Sequence, residues 1–304
     1  MRINRILCPV DFSDFSRRAL DYAVAVARWY AARITALYVH PIGIPSAAMA
    51  PGAPMVIEPV VLSAVDRGLL LKELHAFVDA ERAAGVGIDV ELTEGNVWRE
   101  VAARADAGPA DLLVLGTHGR TGFERLVLGS VTEKLLRKVR CPVLTVPAAA
   151  PAAVPVAPAV FTRIVCGTDF SEASLRALEW ALSLAQEADA SLTLVHALDF
   201  SGFPGVDGMP VLPQDDYRLS YERWAAERMK AIVPQAVREY CRIDEIVATG
   251  RPHQQLLQIA AERESDLIVL GSAGHGPIER AFIGSTVQHV VRAARCPVLT
   301  VTAS

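Results

Sequence analysis

The sequence predicts two tandem α/β domains, each a doubly wound parallel sheet flanked by helices. Three observations lead to this fold class. The chain has 304 residues, about twice a common domain size of roughly 150 residues. Residues 5–27 resemble residues 163–185, and residues 116–146 resemble residues 271–301, which indicates an internal duplication. Short apolar runs alternate with helical patterns, as expected where helices cover both faces of a parallel sheet.

Strands and helices alternate along the first half of the chain. Short β-branched runs predict strands at 3–10, 33–39, 87–93, 111–115 and 142–147. Helical periodicity between these runs predicts helices at 14–31, 61–84, 97–107 and 130–139. Ligands of such sheets lie at the carboxyl ends of the strands, near a topological switch point. The residues at or after three strand ends, Asp11, Val39 and Gly116, are therefore candidates for a binding site.

A segment rich in proline and alanine separates the two halves. It reads "PAAAPAAVPVAPA" from residue 147 to residue 159, a composition typical of a semi-rigid, extended linker. We therefore predict a first domain at 1–147, a linker at 148–159 and a second domain at 160–304.

Composition excludes several classes of partner. The formal net charge of -4 gives no general attraction to nucleic acid or to anionic lipid. No run of about 18 uncharged apolar residues predicts a membrane span, and Asp11 interrupts the amino-terminal region, so we expect a cytoplasmic protein without a membrane partner. Four of the five cysteines form matching pairs in the two halves, Cys8 with Cys166 and Cys141 with Cys296. We expect buried free thiols, because metal-type spacing is missing.

Two glycine-containing segments follow the fourth strand of each half. They read "GTHGRTGFERLVLGS" from residue 116 and "GSAGHGPIERAFIGS" from residue 271. Glycines at the amino terminus of a helix allow backbone N–H groups to approach a phosphate. Ser130 with Glu133, and Ser285 with Gln288, also match capping boxes, in which the serine serves the helix itself. Both interpretations stay open from the local sequence.

The spacing G-x2-G-x9-G-[ST] after the fourth strand, with an aspartate after the first, resembles the universal stress protein family in its ATP-binding branch. The resemblance covers essentially the whole chain as two tandem domains, and the pattern is neither a P-loop nor the usual dinucleotide fingerprint. It implies two Rossmann-like, adenine nucleotide alpha hydrolase-like domains with five-stranded parallel sheets and two ATP sites per chain. It also implies that strands 141–146 and 296–301 pair about a pseudo-twofold axis, and it allows a homodimer of chains.

The resemblance also assigns site residues in each half. Along the adenosine of the first site it places Pro9, Val10, Asp11 and Val39. Around the ribose and phosphates it places Gly116, His118, Gly119, Gly129, Ser130, Val131 and Thr132. The matching set in the second half is Gly167, Thr168, Asp169, Ala197, Gly271, Gly274, Gly284, Ser285, Thr286 and Val287. Because Ala273 replaces His118 and Ala197 replaces Val39, we expect the second site to bind more weakly.

Asp11 and Asp169 have more than one possible role. Each could hold Mg²⁺ together with bound phosphates, hydrogen-bond a ribose, or cap the following helix. Arg120 is the one obvious cation of the first glycine loop, and His275 takes its place in the second, so we assign no catalytic residue. Three functions remain: an ATP-binding protein whose occupancy regulates or signals stress tolerance, a slow Mg²⁺-dependent ATPase, or a scaffold for a protein partner.

Overall fold

Strands and helices alternate in the first half as the sequence predicts. A computed structural model describes residues 2–42, 62–117, 128–150, 161–200, 214–272 and 283–303. The strands of the first half are β1 (Arg5–Pro9), β2 (Arg33–Pro41), β3 (Ile88–Gly95), β4 (Leu112–Gly116) and β5 (Val143–Val146). Its helices are α1 (Asp14–Tyr30), α2 (Ala64–Ala83), α3 (Val97–Ala107) and α4 (Ser130–Lys138). Each end lies within about three residues of its predicted position.

The second half repeats this order and adds one short helix. Its strands are β6 (Arg163–Gly167), β7 (Ser191–Leu198), β8 (Ile243–Thr249), β9 (Leu267–Gly271) and β10 (Val298–Val301). Its helices are α5 (Glu172–Ala188), α6 (Gln214–Ile232), α7 (Gln235–Arg238), α8 (Pro252–Glu262) and α9 (Ser285–Ala293). The short α7 has no counterpart in the first half.

All ten of these strands belong to one sheet, in the order β3-β2-β1-β4-β5-β10-β9-β6-β7-β8. Within each half every neighbouring pair is parallel. In each half the first three strands are added toward one edge of the sheet and the last two toward the other. The order of strands therefore reverses between β1 and β4, and again between β6 and β9. The predicted fold class is confirmed, and each reversal is a topological switch point where a ligand is expected.

The two halves join through an antiparallel pair of strands, β5 and β10. Leu144 lies opposite Leu299, and the Thr145 hydroxyl donates a hydrogen bond to the Val298 carbonyl at 3.1 Å. Helix α1 also reaches across the junction, because its Tyr22 ring stacks on Phe161 with centroids 5.9 Å apart. The expected pairing of these strands is confirmed, and it removes what would otherwise be two exposed sheet edges.

Two apolar layers cover the faces of the sheet. Helices α1, α2, α5 and α6 pack on one face, and helices α3, α4, α8 and α9 pack on the other. All five cysteines are free thiols, as expected, and burial raises the pKa of both Cys8 and Cys166 to about 12. Among the helices of the described ranges, none combines the length and the apolar character that crossing a membrane requires.

Candidate functional site

Each half has a cavity at the carboxyl ends of its central strands, at the switch point. The first has a volume of about 170 Å³ and lies between β1, β4 and the start of α4. Of the residues predicted for the first site, those lining it are Pro9, Val10, Asp11, Gly116, Gly129, Ser130, Val131 and Thr132. Eight of the eleven residues predicted for the first site thus lie together around one cavity.

The second cavity is the larger of the two, with a volume of about 210 Å³. Its lining includes nine of the predicted residues, Gly167, Thr168, Asp169, Ala197, Gly271, Gly284, Ser285, Thr286 and Val287. It extends to β7, where Ala197 replaces the larger Val39, and at the end of β6 Gly167 replaces Pro9. The smaller side chains thus leave space on the side of the cavity where the resemblance places adenine.

The aspartate of each site sits in a tight turn between a strand and a helix. The residue after it, Phe12 or Phe170, has a φ of 64°, a left-handed conformation that costs a non-glycine residue about 1–2 kcal/mol. Ring contacts hold both phenylalanines in place. The Phe12 ring stacks on Tyr38 with ring centroids 4.8 Å apart. The Phe170 ring lies against the His196 ring with centroids 4.5 Å apart. Such strain is retained at functional sites more often than elsewhere.

Both aspartates use a carboxylate oxygen to hold this turn. Asp11 Oδ1 accepts hydrogen bonds from the Ser13 N–H at 3.1 Å and from the Ser13 hydroxyl at 2.5 Å. Asp169 Oδ1 accepts one from the Ser171 N–H at 3.0 Å. Ser13 and Ser171 are in turn the N-caps of α1 and α5. Holding the start of the following helix is thus one role of each aspartate.

Gly116 and Gly271 are fixed by helix packing rather than by ligand access. A Cβ on Gly271 would lie 2.6 Å from the Ser174 nitrogen, and one on Gly116 would lie 3.1 Å from the Phe15 carbonyl oxygen. In both halves the end of the fourth strand therefore packs directly on the backbone of the first helix. Packing on the first helix is by itself a sufficient reason for glycine at these two positions, which also line the cavities.

Of the two interpretations left open for Ser130 and Ser285, the capping box does not match the structure. The N-caps of α4 and α9 are Gly129 and Gly284, the two serines are the first helical residues, and neither N-cap makes a side-chain hydrogen bond. The capping geometry fails because each helix begins one residue earlier than a serine cap requires. No serine hydroxyl therefore satisfies the first amides of these helices.

Among the residues that the structure describes, no packing contact explains a glycine at 284. Its φ of -56° suits any residue, and a Cβ there would meet only the Ser272 carbonyl oxygen, at an ordinary 3.6 Å. Gly129 has the same φ of -56°. A glycine at an N-cap brings no Cβ next to the helix amides, and access to these amides is what an approaching anion requires.

The backbone amides of these first helical turns form the polar wall of each cavity. The first N–H that bonds within α4 is that of Glu133, to the Gly129 carbonyl at 3.0 Å, and in α9 it is that of Gln288, to Gly284 at 3.1 Å. The three amides before each of these have no acceptor in the described ranges. Three unpaired N–H groups and the positive end of a helix dipole together favour an anion.

The first cavity has one hydroxyl that the second lacks at the matching position. Thr132 Oγ1 donates a hydrogen bond to the Gly116 carbonyl at 3.0 Å and ties α4 to the end of β4. Val287 takes this position in the second half and cannot form the bond. The Thr132 side chain is thus structural, and only its amide is available to line the site.

Comparison with known proteins identifies the family. The family model described as the universal stress protein family matches residues 2–147 and again residues 161–302.

The chain belongs to the universal stress protein family.

Among its relatives, a universal stress protein of Methanocaldococcus jannaschii is 35% identical over 147 residues, covering 47% of this chain and 81% of that protein. One from Thermus aquaticus is 35% identical over 142 residues, covering 47% of this chain and 99% of that protein. A longer match, to a universal stress protein of Mycobacterium tuberculosis, is 28% identical over 202 residues and covers 62% of this chain and 61% of that protein.

Solved structures share the fold over both halves. A universal stress protein from Archaeoglobus fulgidus superposes with a TM-score of 0.66, at 20% identity and full coverage of both chains. One from Pseudomonas aeruginosa described as a putative universal stress protein gives 0.65 at 17% identity, covering 99% of this chain and 93% of that one. At these identities the likeness concerns the fold alone.

Some residues assigned from the universal stress protein resemblance do not line a described cavity. The Val39 side chain is buried in the core, only 6% exposed. His118, Gly119 and Gly274 lie outside the described residues, as do Arg120 and His275. The described ranges contain no cluster of three or more His, Cys, Asp or Glu side chains suited to a metal ion.

Sequence reasoning missed several lining residues. They are Ser16, Val97, Leu115 and Leu135 in the first cavity, and Ser174, Val195, Pro252, Leu256 and Leu270 in the second. The two serines offered a signal, because both follow the aspartate by five residues in the duplicated segment. The apolar residues offered none, since they read as ordinary core positions.

Proposed function

We propose that this universal stress protein binds ATP in both cavities, with the phosphates on the first turns of α4 and α9, and that occupancy regulates or signals stress tolerance. The observation that carries the proposal is the pair of glycine N-caps. Each leaves three helix amides without an acceptor in the described ranges, beside an aspartate turn at a switch point. An anion of phosphate type satisfies these amides without any charged side chain.

Apolar walls beside the amides suit a nucleoside attached to that phosphate. Val195, Leu256 and Leu270 line the second cavity together with the amides of α9. Adenine as the base is inferred from the family. Both cavities are smaller than the roughly 300–1,000 Å³ of common ligand pockets, so we propose that part of the nucleotide extends beyond the described walls.

Magnesium is a weaker part of the proposal. Mg²⁺ is commonly held by one or two carboxylates together with substrate phosphates, and each site offers one aspartate, Asp11 or Asp169. Each of these carboxylates already holds a turn. The metal would therefore depend mainly on the phosphates, and we expect ATP to bind with or without it.

Two further features complete the proposal. A cytoplasmic location is in keeping with five free thiols, since disulfides are rare in that compartment. The antiparallel pairing of β5 with β10 joins the two halves within one chain. We therefore expect a monomer to carry both nucleotide sites. Whether two chains also form a homodimer is a separate question for a measurement of molecular mass in solution.

Calorimetric titration of nucleotide-free protein with ATP tests the proposal. We expect a stoichiometry near two, a loss of affinity when GTP replaces ATP, and competition by ADP or AMP at both sites. Release of phosphate, followed with and without Mg²⁺ in the wild type and in Asp11→Ala, separates a slow ATPase from a binding protein. Absence of any nucleotide binding by a folded protein would contradict the proposal and favour a scaffold.

A further inference from the structure

A third cavity lies at the edge of the sheet opposite the two cavities proposed for nucleotide. It has a volume of about 200 Å³, close to the volumes of those two, and lies where β1, β2 and β3 begin and α3 ends. Four charged residues line it, Arg5, Arg33, Asp89 and Arg104. It shares no lining residue with either nucleotide cavity, and the proposed function makes no use of it.

The strand register places these side chains on one face of the sheet. Arg5 on β1 lies beside Arg33 on β2, and Thr35 lies beside Asp89 on β3. Alternate residues of a strand point to the same face, and Leu7, two residues after Arg5, belongs to the apolar layer that α3 covers. The three strand residues therefore lie on the α3 side of the sheet, where Arg104 of that helix completes the charged lining.

Carboxylates hold two of the arginines and leave some of their donors free. Arg33 Nη2 donates hydrogen bonds to both Asp89 oxygens at 3.0 Å. Arg104 donates through Nε and Nη2 to Glu91, at 2.5 and 2.6 Å. Within the described ranges, Nη1 of these two arginines and the whole Arg5 guanidinium have no hydrogen-bond acceptor. Two oriented guanidinium groups and a third, unengaged one thus offer N–H donors to an oxyanion.

The charge of the lining also favours an anion. Three arginines and one aspartate give a surplus of two positive charges. Arg5 and Arg33 lie side by side on neighbouring strands, where like charges repel each other unless a counter-ion lies between them. Two further carboxylates, Glu91 and Asp111, lie outside the lining. Glu91 holds an arginine, and Asp111 accepts hydrogen bonds from two backbone N–H groups at 2.7 and 2.9 Å.

The second half does not repeat this arrangement. Arg163, Ser191, Ile259 and Arg263 stand there in place of Arg5, Arg33, Arg104 and Gly108. Arg263 Nη1 donates a hydrogen bond to Asp244, the counterpart of Asp89, at 2.8 Å. In the first half Gly108 instead makes room for a guanidinium, since a Cβ there would lie 2.6 Å from Arg104 Nη1. The cluster of three arginines is therefore not a requirement of the fold that the two halves share.

We propose that this cavity binds a small organic phosphate monoester, with its phosphate group between the guanidinium groups of Arg5, Arg33 and Arg104. Such a phosphate has three acceptor oxygens and a charge of about −1.5 to −2 at pH 7, which match three guanidinium groups and a surplus of two charges. A single carboxylate has two oxygens and one charge. The inference does not depend on the proposed function, and it gives the first half a second ligand that the second half does not share.

Calorimetric titration of the full chain with glycerol 3-phosphate tests the inference, with inorganic phosphate and succinate for comparison. We expect the ester to bind more tightly than either, and added salt to weaken its binding because the Arg33 side chain is 68% exposed. Arg5→Gln and Arg33→Ser should each weaken ester binding by about tenfold. Arg5→Lys should restore part of the loss, because lysine keeps the charge but not the planar fork.

The second half supplies a matched control. Arg163→Gln makes the same change at the start of β6, outside the cavity, and should leave ester affinity unchanged, while thermal denaturation reports whether each variant folds. Ester binding that both arginine changes in the first half leave unaltered would place the phosphate elsewhere and overturn the inference. Absence of ester binding by the folded wild type, or equally tight binding of succinate or of inorganic phosphate, would overturn it as well.

Discussion

The glycine N-cap of α9 can be replaced by a residue that competes with a ligand for the same amides. In Gly284→Asp, a carboxylate at the N-cap accepts hydrogen bonds from the helix amides that we assign to phosphate. The local conformation accepts a side chain, because φ is -56° and a Cβ would meet its nearest atom at 3.6 Å. The variant should therefore fold while its second site is blocked by an internal anion.

The expected magnitudes have opposite signs for stability and for binding. An aspartate N-cap in place of glycine, with its charge at the positive end of the helix, should stabilise the protein by about 0.5 kcal/mol. Losing two or more charge-assisted hydrogen bonds to phosphate, each contributing about 1.5–3 kcal/mol, should weaken ATP binding at this site by at least about 100-fold. Few site mutations are expected to raise stability and abolish binding together.

Calorimetry and thermal denaturation measure both effects in the same samples. The ATP stoichiometry should fall from two to one, and the melting temperature without ligand should stay the same or rise. Gly284→Ala is the control, because it adds a Cβ without an acceptor and should weaken binding much less. Gly129→Asp is the matched change in the first half. Two unchanged ATP sites in Gly284→Asp would refute the assignment of these amides to phosphate.

Three further predictions concern the junction, a buried carboxyl and the wall of the second cavity. Thr145→Val should destabilise the protein by about 1 kcal/mol, because it removes the hydrogen bond to the Val298 carbonyl. Thr300→Val should stabilise the protein, because the Thr300 hydroxyl is buried without a partner in the described chain. Urea titrations that reverse this order of stability would contradict the account. Burial raises the pKa of Asp21 from 3.8 to about 6, so the free energy of unfolding should fall as the pH rises from about 4 to about 6. Asp21→Asn should remove this pH dependence and be the more stable protein at pH 7.5 in chemical denaturation. An unchanged pH dependence in this variant would exclude Asp21 as its source. Ala197→Val restores the residue that the first half has at this position, so it should strengthen ATP binding at the second site by about 10-fold in calorimetry; unchanged affinity would show that the base does not reach β7.

The fold could be predicted closely because its signals are local and occur twice. Apolar runs identified the strands of a sheet that helices cover on both faces. The duplication indicated that the two halves have the same fold. The pairing of β5 with β10 needed the family resemblance, since a short apolar edge strand does not specify its partner. The short helix α7 has no counterpart in the first half, so the repeat gave no indication of it.

Most residues around the two cavities could be named from the sequence, but the reasons for the glycines could not. Gly271 is required by contact with the backbone of α5, a tertiary feature that no local pattern reports. The capping-box prediction at Ser285 failed by one residue, because where a backbone leaves the helical conformation depends on the loop before it. Weaker binding by the second site remains a prediction, although its cavity is the larger one.

The central claim is that each half holds one adenine nucleotide by its phosphates. Its most direct test is to load the purified protein with ATP, remove free nucleotide by gel filtration, denature the protein, and count the released nucleotide by mass spectrometry. We expect close to two adenine nucleotides per chain, one in Gly284→Asp and none when Gly129→Asp is added. A folded wild-type protein that releases none would contradict the account.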